Sequence, residues 1–215
     1  MKVLFVLPQV GAAVPSYHAI SILSAVVKQA SHETALLEMP EMRLGAVDEA
    51  IHQHDPDVVG ITSVTQQIPY TKEIIHYVKR KFPHIYTVAG GTHAIVRPNV
   101  IDEIPELDAL ATNEAEGPIL EYLACLEAGR PPVEVPNFRV RIDGEVRTSS
   151  RTYTCDEAEM TALPFEDREL FPKWRNTKKG VPLESLGIRP RFFISRGCAF
   201  RLPLLHVADH AEDVP

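Results

Sequence analysis

The chain is 215 residues long, 45% hydrophobic and 24% charged. That suits one domain with an appendage, or two small domains, and argues against disorder. A formal net charge of −7 gives no electrostatic basis for binding nucleic acid or an anionic membrane surface.

The apolar run after Met1-Lys2 is too short for a signal peptide or membrane span, and Pro8 ends it. Strands are expected over residues 2–7, 33–38, 57–62, 85–89 and 107–111, as short β-branched apolar runs suited to parallel strands covered on both faces. Between them, helical periodicity predicts helices over 16–30, 44–52 and 70–81, a short one after Arg97, and one over 118–128. Pro118 suits a first helical position and Gly129 a C-terminal cap. Alternating β and α elements with right-handed crossovers predict an α/β, flavodoxin-like (Rossmann-like) doubly wound five-stranded parallel sheet of order 2-1-3-4-5. From residue 130 the character changes. Arg130-Pro131-Pro132 reads as a linker, and Asp143-Gly144 between alternating runs at 138–142 and 145–149 reads as a type I′ hairpin. Residues 156–174 read as a connector packed on a neighbour, and 191–195 as the first strand of a further unit.

In an open α/β sheet, ligands bind beyond the carboxyl ends of the strands. Here those ends carry Ser63-Val64-Thr65-Gln66-Gln67, Gly90-Gly91-Thr92-His93 and Asn113-Glu114-Ala115-Glu116-Gly117. They form a rim of hydroxyls, amides and flexible backbone of the kind that lines a ligand site. Adjacent glycines at 90 and 91 let the backbone approach a ligand or adopt positive φ, and a tight turn needs them equally. No Gly-x-Gly-x-x-Gly follows the first strand, which counts against an ordinary dinucleotide site. His93 is expected to cap a helix or face solvent, and Glu114 and Glu116 to favour the next helix through its dipole. Cys125 is expected in the core and Cys155 to be incidental. Three scattered cysteines, Cys125, Cys155 and Cys198, form no disulfide framework and predict a reduced, cytoplasmic setting.

Taken in order, residues 2–7, Asp57-Val58-Val59-Gly60-Ile61-Thr62-Ser63, Ala89-Gly90-Gly91-Thr92-His93 and Asn113-Glu114-Ala115-Glu116-Gly117 resemble the N-terminal cobalamin-binding domain of cobalamin-dependent radical S-adenosylmethionine (SAM) proteins. Leu163-Pro164-Phe165-Glu166-Asp167-Arg168 resembles that family's connector, and Ser195-Arg196-Gly197-Cys198 the start of its cluster-binding loop. The resemblance implies that strand-end loops cradle the corrin edge and the nucleotide tail of cobalamin. It implies Ser63, Thr65, Gly90, Gly91, Thr92, Glu116 and Gly117 as contacts and Cys198 as a metal ligand. A cobalt-ligating Asp-x-His-x-x-Gly is absent after the first strand, where only His18 occurs. The family's [4Fe-4S] cluster and SAM belong to its intact members.

The implied domains are 1–130, cobalamin-binding; 131–190, hairpin and linker; 191–201, the truncated start of a radical SAM barrel; and 202–215, an out-of-frame tail. The family's Cys-x3-Cys-x2-Cys would place further cysteines at 202 and 205, where this chain has Leu202 and Leu205. A single-base shift restores both if each leucine codon is CTG. One thiolate of three holds no such cluster, so SAM cleavage is not expected of this chain, and a separate radical SAM barrel polypeptide is a conceivable partner. The competing reading is a flavodoxin-like interaction or regulatory domain without bound cofactor.

Overall fold

A computed structural model of the chain describes residues 1–9 and 17–172. The chain divides into two units, residues 1–167 and 168–215. Of the second, the described part is a 3-10 turn over Arg168–Leu170 and the two residues after it.

In the first unit, five strands run parallel: β1 (Lys2–Pro8), β2 (Glu33–Met39), β3 (Val58–Thr62), β4 (Tyr86–Gly90) and β5 (Ala109–Ala111). Their order is β2-β1-β3-β4-β5, the doubly wound order expected from the sequence. The crossovers hold α1 (Tyr17–Gln29), α2 (Leu44–His54), α3 (Ile68–Lys81) and α4 (Thr92–Val96), and α5 (Pro118–Glu127) follows β5. Strand side chains alternate between the two faces. Leu4, Val6, Val59 and Ile61 pack with Val47, Ile51, Ile74 and Val78 of α2 and α3 in one buried cluster. Leu4 is wholly buried there, and its truncation to alanine would cost about 2–5 kcal/mol.

The sheet has seven strands rather than the expected five. β6 (Phe138–Ile142) pairs antiparallel with β5, Ala109 opposite Val140, and β7 (Glu145–Thr148) pairs antiparallel with β6. The reason is an edge: three-residue β5 would otherwise leave its outer N–H and C=O groups unpaired. Phe138 fixes the addition by stacking on buried Tyr122 of α5, ring centroids 5.2 Å apart. Asp143 (φ 51) and Gly144 (φ 82) make the hairpin turn with the two positive φ angles of type I′. Gly129 (φ 62) ends α5, its N–H donating to Leu126 O while Arg130 N–H donates to Cys125 O.

The short helix expected after Arg97 is a 3-10 segment, Pro98–Glu103, and ahead of it stands α4, directly behind Gly91, which the sequence pattern did not show. The connector contains α6 (Glu157–Ala162), started by a capping box between Asp156 and Glu159. Its later residues fasten onto α1: Glu166 Oε1 lies 2.6 Å from His18 Nδ1, and Asp167 accepts from Ser24 Oγ and Lys28 Nζ, each at 2.6 Å. Residues 10–16, 173–190, 191–201 and 202–215, with the hairpin-to-barrel and tail expectations attached to them, lie outside the described residues.

Candidate functional site

Between the sheet and the pair α1 and α5 lies a cavity of about 340 Å³, within the range of small-molecule sites. It opens at the carboxyl ends of the strands and reaches down to Val3 and Val58, spanning β3, a depth of about 13 Å at 3.3 Å per residue. Gly60 opens its floor. In register, Gly60 stands between Phe5 of β1 and Val88 of β4, and its missing side chain leaves a trough there. An added Cβ would meet only the Phe5 ring, at 3.3 Å. The deep walls are apolar, with Phe5, Leu23, Val88 and Ile119 among them. Polar side chains gather at the mouth: Ser63, Gln67, Thr92, Asn113, Glu114 and Glu116.

The loops after β3 and β4 are zipped together. Ser63 N–H donates to Gly90 O at 3.0 Å, and His93 N–H to Ser63 O at 3.3 Å. Gly91 makes this approach possible. Its φ is +97, and a Cβ there would lie 2.7 Å from both Ser63 O and Thr62 Oγ1. Gly91 therefore serves the packing of one loop on the other, while Gly90 lines the cavity with room for a Cβ, 3.6 Å from Ala111 Cβ. His93 neither caps a helix with its side chain nor faces solvent. It is 7% exposed, its Nδ1 hydrogen-bonded to Thr65 Oγ1 at 3.0 Å. Burial, reinforced by the positive charge of Arg97, holds its pKa below the usual histidine range. Gln67, 5% exposed, ties the end of β1 to the loop after β3: its Nε2 donates to Pro8 O, and its Oε1 accepts from Val64 N–H at 3.0 Å.

The loop after β5 is fixed by residues far along the chain. Asn137, at φ 60, donates from Nδ2 to Glu114 O (2.8 Å) and Tyr153 O (2.7 Å). Its Oδ1 accepts from Tyr153 N–H, and its carbonyl accepts from Thr112 N–H and Oγ1. Cys155 N–H donates to Glu114 Oε2 at 2.6 Å, so the backbone at buried Cys155 is part of this clamp. The Tyr153 ring lies against Gly117, where a Cβ would come within 3.0 Å, and burial pushes the Tyr153 phenol pKa up. The clamp leaves Glu116 6% exposed at the cavity mouth, just ahead of the start of α5.

Of the sequence-derived residues, Ser63, Gly90, Gly91, Thr92 and Glu116 line the cavity together. Thr65 stands exposed beside it on His93, and Gly117 lies behind the wall under Tyr153. Cys198 lies outside the described residues. Cys125 is half-buried rather than in the core. Sequence reasoning set Gln67 on the rim without its bracing bonds, and missed Gly60, Asn137 and Tyr153. Pro136-Asn137 before a strand was the one local signal, since asparagine tolerates positive φ. Among the described residues, no group of three or more His, Cys, Asp or Glu could hold a metal ion. No helix among them is long and apolar enough to cross a membrane.

Sheet order and a deep slot at the strand ends define an α/β ligand-binding domain of the doubly wound class. The family model of the B12 binding domain matches residues 12–123, more than half of the chain, and the chain belongs to that family. It is 24% identical over 210 residues to "Uncharacterized methyltransferase PH0819" of Pyrococcus horikoshii, covering 93% of this chain and 44% of that protein. To "Cobalamin-dependent radical SAM methyltransferase TokK" of Streptomyces tokunonensis it is 32% identical over 89 residues, 40% of this chain and 13% of that one. Among solved structures, the cobalamin-dependent SAM radical enzyme OxsB with aqua-cobalamin and SAM bound superposes with a TM-score of 0.65 at 14% identity, covering 81% of this chain and 25% of OxsB. TsrM from Kitasatospora setae, with cobalamin and a [4Fe-4S] cluster bound, gives 0.61 at 18%, covering 73% and 30%. At these identities the structural likeness is one of fold. The chain spans less than half the length of the curated relatives it matches.

Proposed function

We propose that this B12-binding domain holds cobalamin with its nucleotide tail in the slot and the corrin edge on the loops after β3, β4 and β5. The observation that carries the reading is the cavity's polarity: apolar along its depth, with hydroxyls, two amides and two carboxyl groups at the mouth. A flat macrocycle with polar side arms and a narrow tail needs that division. Ser63, Gly90, Thr92 and Glu116 would touch the ligand, and Thr65 would meet the corrin periphery from its exposed position. Gly91 and Gly117 would act indirectly, by letting the loops close up. A bound corrinoid supplies a cobalt centre able to carry a methyl group. This chain's residues bind it, orient it and keep water from its tail.

The same reading places the domain in a protein of the cobalamin-dependent radical SAM kind. Cluster and SAM ligands would then come from outside the described residues, or from a separate radical SAM barrel polypeptide. A net charge of −7 and the lack of a disulfide at Cys125 and Cys155 suit a cytoplasmic protein with neither nucleic acid nor membrane as partner. The test is direct. The full chain is mixed with hydroxocobalamin, desalted, and its visible spectrum recorded. Corrin absorbance co-eluting at up to one equivalent supports the reading. Protein emerging colourless overturns it.

A further inference from the structure

The slot's two ends differ in chemistry, and that difference selects among corrinoids. Among the described residues, every polar side chain that lines the cavity sits on or beyond the last residues of the strands, at the mouth. The floor, formed by Val3, Phe5, Val58, Gly60 and Val88, offers no side-chain donor or acceptor, and the backbone groups of β1, β3 and β4 are committed to the sheet. A polar atom delivered to that depth loses water and finds no partner.

Corrinoids differ in the base that ends the nucleotide tail. A benzimidazole carries both nitrogens on the ring joined to the ribose and only hydrocarbon on the distal ring. Adenine, joined through its imidazole ring, puts its amino group and pyrimidine nitrogens on the distal ring. A tail entering ribose-last pushes the distal ring to the floor. Resting on the corrinoid reading above, we propose that the trough over Gly60 is a specificity determinant: it accepts benzimidazole-type corrinoids and rejects adenine-type ones. Gly60 sets the depth available, since any larger residue there projects from between Phe5 and Val88 into the space the distal ring would take.

Equilibrium binding of cobalamin and of its adenine-containing counterpart to the same full-length protein decides the matter, with the tail-less cobinamide as a third ligand. The adenine form should bind about tenfold to a hundredfold more weakly, the scale on which apolar pockets discriminate. Gly60→Val should weaken cobalamin at least about tenfold and leave cobinamide unchanged. Cobalamin and adenine form binding alike would overturn the selectivity and leave the corrinoid reading standing. Binding of none of the three would remove that reading too. If Gly60→Val fails to fold, the ratio of ligands on the unaltered protein still decides, because it compares ligands on one chain.

Discussion

Asn137 Nδ2 donates to Glu114 O at 2.8 Å, across 23 positions of sequence, and through this bond the chain beyond the fifth parallel strand shapes the mouth of the slot. Asn137 holds φ 60, which glycine also adopts freely and alanine does not. Asn137→Gly removes only the side-chain bonds, and chemical denaturation should show a loss of about 1–3 kcal/mol. Asn137→Ala should lose about 1 kcal/mol more from backbone strain. Both variants should retain less cobalamin, because Glu114 and Glu116 share the released loop. Equal stability of the two variants would contradict the left-handed assignment.

The adjacent glycines should behave differently. Gly91→Ala forces a Cβ to within 2.7 Å of Ser63 O at positive φ, and thermal melts should record destabilisation of more than about 2 kcal/mol. Gly90→Ala meets Ala111 Cβ at an ordinary 3.6 Å and should stay within about 1 kcal/mol of the parent. Substitutions at Gly91 thus report on loop packing, whereas larger residues at Gly90 report on the ligand.

Burial lowers the His93 pKa below its ordinary 6.5. The unfolded chain therefore binds a proton at a higher pH than the folded one. Stability contributed by neutral His93 is present above 6.5 and is lost as pH falls from there toward the lowered folded value. Denaturation midpoints of the parent should drop over that window. His93→Gln should flatten this component of the pH profile, and an unchanged slope would count against a buried neutral imidazole on Thr65.

Leu202 and Leu205 stand where a Cys-x3-Cys-x2-Cys counted from Cys198 needs thiolates. Anaerobic iron–sulfide reconstitution followed by SAM and a reductant should yield no 5′-deoxyadenosine from this chain. Stoichiometric 5′-deoxyadenosine would show cluster ligands that the sequence does not supply in the family's pattern.

Much of the fold was legible because its signals are local. Apolar β-branched runs marked β1 to β5, and Asp143-Gly144 marked the hairpin whose φ angles are both positive. Asp156 with Glu159 was an equally local capping signal that went unread within the connector. The site was legible only at its rim. Ser63, Gly90, Thr92 and Glu116 follow strands and so fall at the carboxyl edge by topology alone. Gly60 looked like any strand glycine until register set it between Phe5 and Val88. Asn137, Tyr153 and Cys155 act on residues 16 to 41 positions away, through bonds that no periodicity encodes. His93 is buried by the loop after β3, which its own neighbours in sequence do not reveal.

The central claim is that the slot between the sheet, α1 and α5 takes the nucleotide tail of a corrinoid. Titrating the protein with cobalamin and, separately, with cobinamide, which has the same macrocycle and no tail base, tests it most directly. Cobalamin should bind at least about tenfold more tightly, the factor carried by ~1.4 kcal/mol of tail burial. Equal affinity for the two would place the tail outside the slot and contradict the account.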